Sequence, residues 1–173
     1  MGKLFCAFSL PFFLRVPISI VCCCLFPFFL SAQTSEKDSL IKLLKILPED
    51  TNKVNVLVRL SIISSKSNSK NAIKHGTSAV SLSQSLNFKN GILRANSQLG
   101  QAYRILGDYK QAIFYQENAL LEAQNLRDSL NIAESMRQLG IIFRLRGDFP
   151  AAFKYYFTHL LSCGSCRVYY NVR

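Results

Sequence analysis

The 173-residue sequence has no tryptophan, only two histidines and few acidic side chains. Its 10 Asp and Glu residues stand against 21 Lys and Arg, and the formal net charge is +11. With so few general acids and metal ligands, no Ser/His/Asp arrangement and no metal-ligand spacing on one helical face can be recognised. We therefore expect no catalytic residue, no metal and no cofactor, and predict that the chain is not an enzyme.

The excess of basic residues does not form a recognisable binding motif. Lys and Arg are scattered along the chain, and no run of five or more occurs. Nucleic-acid binding proteins usually cluster these charges on one face or in one segment. A solvated basic surface accounts better for the scatter, and we expect no nucleic-acid partner.

The N-terminus contains the longest apolar stretches. Lys3 precedes the apolar residues 4–14 and 16–30, which Arg15 separates, and polar sequence begins after Ala32. This order is typical of a secretory signal peptide over residues 1–32. The alternative is an uncleaved membrane anchor at residues 4–30. We predict an exported protein, periplasmic or secreted, that contacts the membrane only through this segment if it is not cleaved.

The rest of the sequence predicts an all-α fold built from a repeat. Apolar residues follow helical spacing from Asp38 onward, and no strand-like alternation of useful length occurs. The Ser- and Asn-rich segment 61–71 is interpreted as a loop between two helices. A shift of 40 residues aligns Ile92–Tyr115 with Ile132–Tyr155, and nine of the 24 pairs are identical. We predict an α-solenoid over residues 38–161, with about three repeats near 52–87, 88–127 and 128–161.

Each repeated position has a physical role in that prediction. Glycine after a buried leucine lets a neighbouring helix approach closely, and a second glycine ends the first helix with positive φ. Alanines spaced by seven give the second helix a small-residue packing face. The predicted packing residues are Leu99, Gly100, Tyr103, Gly107, Ala112 and Ala119 in one repeat, and Leu139, Gly140, Phe143, Gly147 and Ala152 in the next.

The segment Leu99–Leu120, L-G-Q-A-Y-R-I-L-G-D-Y-K-Q-A-I-F-Y-Q-E-N-A-L, resembles a tetratricopeptide repeat. It departs from the family at Gln116, where a large apolar residue is usual, and its period of 40 residues exceeds the usual 34. The leader and residues 38–57 are similar to exported N-terminal regions of Bacteroidetes-type signalling proteins. The resemblance implies a right-handed superhelical stack of helix-turn-helix units acting as a non-enzymatic scaffold. The alternative is a truncated sensory input region of a histidine kinase or transcriptional regulator.

In this family the first helices of the repeats line a concave surface, which the resemblance implies as the binding site. Repeated guanidinium and amide donors there suit an extended peptide or an acidic protein partner. The alternative is that the arginines are solvated. The carboxylate-clamp subtype is not expected, because Ser97 and Gln101 replace its Lys and Asn. The predicted peptide-binding residues are Arg94, Gln98, Gln101, Arg104, Arg137, Gln138 and Arg144, with Glu134 on the same face.

The repeat pattern stops after Leu161, and residues 162–173 form an atypical tail. We expect a truncated or frame-shifted relative of a longer protein, because no capping helix can be recognised there. Cys163 and Cys166 have the spacing of a redox or half-zinc site, but the flanking strand, helix and second ligand pair are missing. A disulfide formed after export is the alternative that remains open.

Overall fold

The computed structural model of the chain describes residues 36–162. Every regular element in that range is a helix, so the all-α prediction is confirmed. Residues 36–46 form α1. The longer helices that follow are α2 (Thr51–Ser65), α3 (Ser69–Ser85), α4 (Lys89–Leu106), α5 (Tyr109–Asn125), α6 (Ser129–Arg146) and α7 (Phe149–Ser162).

The predicted signal peptide, the alternative anchor and the Cys163/Cys166 pair lie outside the described residues. Within residues 36–162, no helix combines the length and apolar character that a bilayer span requires.

A side-chain cap begins most of the helices. Asp50 accepts a hydrogen bond from the backbone N–H of Lys53 at 2.9 Å. At the start of four other helices a side chain accepts the equivalent bond from the N–H three residues later, at 3.1 Å. These side chains are Asn68 before α3, Asp108 before α5, Asp128 before α6 and Asp148 before α7. Short acceptor side chains at this position satisfy N–H groups that have no partner within the helix. Among α2 to α7, α4 alone lacks such a bond, because Phe88 precedes it.

The helix ends explain why the connections are short. Gly107 and Gly147 follow α4 and α6 with φ of 86° and 87°, and the next N–H bonds back to the carbonyl of Tyr103 or Phe143. This left-handed turn closes a helix with few residues. The predicted loop at residues 61–71 is also wrong, although the turn there has no left-handed residue: the N–H groups of Ser67 and Asn68 both bond back to the Ser64 carbonyl oxygen. Helix α2 runs to Ser65 and α3 starts at Ser69, so three residues suffice for the turn.

Helix pairs stack so that their apolar cores are shared. Consecutive helices from α2 to α7 contact one another, and the first helices α2, α4 and α6 also meet across the stack. One apolar cluster joins α2, α3 and α4 through Val54, Leu57, Val58, Ala79 and Ala95. Another joins α4 and α5 through Leu93, Ala119 and Ala123, with Ile132 of α6 packed against it. Since each cluster includes residues of more than one pair, no pair buries its apolar surface alone.

The predicted packing positions lie at these contacts. Gly100 sits where α5 crosses α4, and a Cβ atom there would lie 2.7 Å from Gln116 Oε1 and 3.3 Å from the Ala112 carbonyl oxygen. The Tyr103 ring stacks on Tyr115 with centroids 5.3 Å apart, and Phe143 stacks on Tyr155 at 5.2 Å, one period later. The remaining predicted positions Leu99, Ala112, Ala119, Leu139, Gly140 and Ala152 are all buried.

Helix α7, the last one within residues 36–162, exposes a row of apolar side chains. Phe149, Phe153, Phe157 and Leu160 are 66%, 70%, 45% and 47% exposed, and the rings of Phe153 and Phe157 stack with centroids 6.1 Å apart. Their spacing places them along one side of α7. One period earlier, Tyr109, Ile113 and Leu120 occupy three of these positions on α5, and they are partly buried because α6 follows.

Candidate binding groove

A groove with a volume of about 260 Å³ crosses the first helices α2, α4 and α6. Hereafter "the groove" means the surface formed by its ten lining residues. They are Val58 and Ile62 of α2, Leu93, Arg94, Ser97, Gln98 and Gln101 of α4, and Asn131, Glu134 and Ser135 of α6.

Helical spacing brings these residues together. Val58 and Ile62 lie one turn apart on α2, and Ser97 and Gln101 lie one turn apart on α4. Residues four positions apart share a helix face. Because the three first helices lie side by side, their faces meet in one continuous surface.

The floor of the groove is aliphatic. Val58 and Leu93 are almost completely buried, at 1% and 2% exposure, and Ile62 is partly buried. They belong to, or pack against, the apolar clusters that hold the stack together. The floor is therefore rigid, because shifting it would disturb the core.

The walls present hydroxyl and amide groups without formal charge. Ser97, Gln98 and Gln101 of α4 are partly buried, and Ser135 of α6 is buried. Hydroxyl and primary amide groups can donate and accept hydrogen bonds, as a peptide backbone does. Such walls suit a ligand whose backbone runs along the groove.

Glu134 organises the charged part of the groove. Its carboxylate accepts two bonds from Arg137, at 2.8 Å from Nε and 2.6 Å from Nη2, and a third at 2.8 Å from Nε2 of Gln138. The bond from Arg137 is the main cause that lowers the pKa of Glu134, and Gln138 adds to it. The same bond raises the pKa of Arg137. Both groups therefore remain charged and paired at neutral pH.

Arg94 is also engaged within the protein. Its Nη1 atom donates to Oδ1 of Asn55 on α2 at 2.8 Å. The two residues are 39 positions apart in sequence, so the bond exists only because α2 and α4 stack. Asn55 is neutral, so the guanidinium of Arg94 keeps its charge while its direction is constrained.

The structure separates the predicted binding residues into groups. Arg94, Gln98 and Gln101 line the groove. Arg137 and Gln138 lie next to it and are bonded to Glu134. Neither Arg104 nor Arg144 is among the lining residues: Arg104 is partly buried, with its Nε atom lacking a hydrogen-bond partner, and Arg144 is exposed.

Sequence reasoning missed the contribution of α2. Two of the lining residues that were not predicted, Val58 and Ile62, lie on α2. The others are Leu93 on α4 and Asn131 and Ser135 on α6. The prediction drew on the two clear repeats, whereas the copy that contains α2 is weak. Helical spacing of apolar residues was recognised from Asp38 onward, but such spacing does not indicate which side chains reach the neighbouring helix.

A larger depression of about 630 Å³ lies beside α3, where Thr77, Ser78, Ser81 and Ser85 meet Glu49 and Leu82. The hydroxyls of Thr77, Ser78 and Ser85 donate to carbonyl oxygens of their own helix. This leaves fewer donors for a ligand than the groove offers. Among residues 36–162, no three His, Cys, Asp or Glu side chains come together as metal ligands.

Residues 91–156 match the family model described as tetratricopeptide repeat. Within this range the helix pairs are similar to tetratricopeptide repeats. The match spans α4, α5 and α6 and the first part of α7, and so includes most of the groove. The recognition of this repeat from the sequence is confirmed.

Solved structures share the fold of the repeats at low sequence identity. The tetratricopeptide domain of FLU from Arabidopsis is 20% identical with a TM-score of 0.63, over 68% of this chain and 99% of that domain. BtubC from P. vanneervenii is 19% identical with a TM-score of 0.73, over 79% of this chain and 59% of that one. The apo form of RapI is 16% identical with a TM-score of 0.66, over 78% of this chain and 39% of that one. No curated protein matches the sequence significantly.

Proposed function

We propose that the chain is a protein-interaction scaffold that holds an extended segment of a partner protein in the groove. The observation that carries this proposal is the groove itself, in which three stacked first helices combine an aliphatic floor with hydroxyl and amide walls. Extended peptides bind through main-chain hydrogen bonds and through pockets for individual side chains. A tetratricopeptide-repeat fold supports a non-catalytic interaction role of this kind.

We propose that this binding takes place outside the cytoplasm. The support is the N-terminal order of a basic residue, apolar stretches and a polar sequence after Ala32. Cell fractionation followed by N-terminal sequencing tests this location. A mature chain that begins at Gln33 in an exported fraction agrees with it, and an unprocessed chain in the cytoplasm contradicts it.

A sensory input role in a signal-transduction protein is the alternative. It is supported by the similarity of the leader and residues 38–57 to exported regions of signalling proteins. Both versions use the same groove for recognition. They differ in whether the bound partner alters the output of a larger protein or is simply held.

The groove is tested by filling it. Ser97 is partly buried in the groove wall, whereas Gln124 is exposed on α5 and does not line the groove. Proteins captured by the unmodified chain are identified, purified and titrated against the Ser97→Trp and Gln124→Trp variants. We expect Ser97→Trp to weaken binding at least tenfold and Gln124→Trp to leave it within twofold.

Two results would contradict the proposal. Equal binding by both variants excludes the groove as the binding site. The absence of any partner that binds the purified chain directly argues against a scaffold role. Circular dichroism of both variants establishes that each one retains its helices.

A further inference from the structure

The size of the groove limits how much of a ligand it can enclose. Its volume of about 260 Å³ lies below the roughly 300–1,000 Å³ typical of pockets for small molecules. A single large side chain with its adjoining backbone fits such a space better than a folded surface does. The enclosed part of the ligand is therefore one residue of an extended segment.

The floor favours an apolar side chain at that position. Val58 and Leu93 are buried and Ile62 is partly buried, so the bottom of the groove carries no charged group and exposes carbon mainly through Ile62. A charged side chain placed against this floor would lose its hydration without gaining a partner. An aliphatic or aromatic side chain instead loses contact with water, which favours binding.

Of the two charges in the groove, Glu134 is paired with an opposite charge within the protein, whereas Arg94 bonds to the neutral Asn55 and keeps its charge. The two charged lining residues of the groove are Arg94 and Glu134, which are opposite in sign. Arg94 donates to Asn55, and Glu134 holds Arg137 through two bonds. A ligand carboxylate that sought Arg137 would have to displace Glu134 and then remain beside its negative charge.

We propose that the groove anchors one uncharged, apolar side chain of an extended peptide, and that Glu134 rejects acidic ligands by keeping Arg137 paired. This inference rests on the proposed function and specifies its ligand. The acidic partner predicted from the sequence assumed free arginines, whereas Arg137 has a carboxylate partner three residues away on its own helix. Glu134 acts here as a specificity-determining residue.

The probe is a set of ten-residue peptides with one fixed central residue, Leu, Phe, Asp, Lys or Gly, and mixed flanking residues. Their affinity for the full chain is measured by fluorescence anisotropy at 50 and 500 mM salt. We expect the Leu and Phe sets to bind at least tenfold more tightly than the Asp and Gly sets. Their affinity is expected to change less than threefold with salt, because screening affects ion pairs more than apolar contacts.

Two matched variants test the role of Glu134. Glu134→Gln keeps the size of the side chain but removes the charge that holds Arg137, so the Asp set is expected to gain about tenfold in affinity and become salt-dependent. Glu117→Gln makes the same change on α5, at an exposed residue that does not line the groove. It is expected to change nothing.

The outcomes distinguish this inference from the proposed function. Tightest binding of the Asp set by the unmodified chain, with strong salt dependence, overturns the apolar anchor but leaves the scaffold role intact. An unchanged preference in Glu134→Gln overturns the role of Glu134. If no peptide set binds, the anchor is wrong, and the scaffold role is then judged by the Ser97→Trp comparison.

Discussion

Four residues that follow helices have a left-handed backbone conformation. Gly107 and Gly147 take the left-handed conformation after α4 and α6. The second helices α3 and α5 end in the same way, but there Asn87 and Arg127 take positive φ, at 50° and 55°. In this region the Cβ atom of an L-residue crowds its own backbone, and glycine avoids that cost. Arg127 is thus the residue least suited to its backbone conformation among these four.

We predict that Arg127→Gly stabilises the protein by about 1 kcal/mol, because it removes the crowding at a helix end. The gain is measured as the change in free energy of unfolding in urea, followed by circular dichroism. Asn87→Gly is the matched control and is expected to gain less, since asparagine tolerates this conformation better. A larger gain at Asn87 than at Arg127 would contradict the explanation.

At the scale of the helix, the beginnings of α2, α6 and α7 depend on ionised caps. The bond from the Lys53 N–H is the main cause that lowers the pKa of Asp50 below 3.8. Hydrogen bonds from the side chain and backbone of Asn131 lower the pKa of Asp128. The Ala151 N–H and the side chain of Arg146 lower the pKa of Asp148. A carboxyl whose pKa is lower in the folded state stabilises the fold above its unfolded pKa. That contribution disappears as the pH falls through the folded value.

The double change Asp128→Asn and Asp148→Asn is therefore predicted to flatten the loss of stability below about pH 4. Asparagine caps a helix about as well as aspartate, so the neutral-pH stability is expected to change little. Urea unfolding at several pH values from 7 to 3 measures both effects. The corresponding double change to alanine removes the acceptors, and we expect it to weaken the protein at neutral pH as well. An acid-side slope unaffected by asparagine would show that other groups control it.

At the scale of the whole stack, burial is concentrated between helix pairs and falls off at α7. Leu139 of α6 is fully buried, whereas the aromatic row of α7 is largely exposed in the described residues. An apolar side chain contributes to stability in proportion to the area that folding removes from water. Leu139 and an exposed aromatic residue of α7 therefore differ in how much they contribute to the free energy of unfolding.

We predict that Leu139→Ala lowers the free energy of unfolding by about 2–5 kcal/mol, since it leaves a cavity between helices. Phe153→Ser is expected to change it by less than about 1 kcal/mol, because the ring is 70% exposed. Urea unfolding of both variants measures the contrast. Equal losses would mean that α7 is packed more extensively than the described contacts indicate.

Much of the fold was predictable because its determinants are local or periodic. The 40-residue shift is a periodic signal, and the glycines after the first helices act within a few residues of their own position. The helical residues missed at 61–65 and 69–71 show the limit of this reasoning. The serines among them favour a loop by composition, but Ser61 is buried and donates to the Ala72 carbonyl oxygen at 2.8 Å.

The sequence by itself thus determined the helical class, the repeat and the helix that carries half of the groove. Only the tertiary structure decided what the groove contains. Val58 and Ile62 reach it because α2 lies against α4, and Arg94 is held by Asn55 across 39 residues of sequence. Spacing along one helix predicts which residues share a face. The distance between two faces, and therefore which charges are already paired, is determined by how the helices stack.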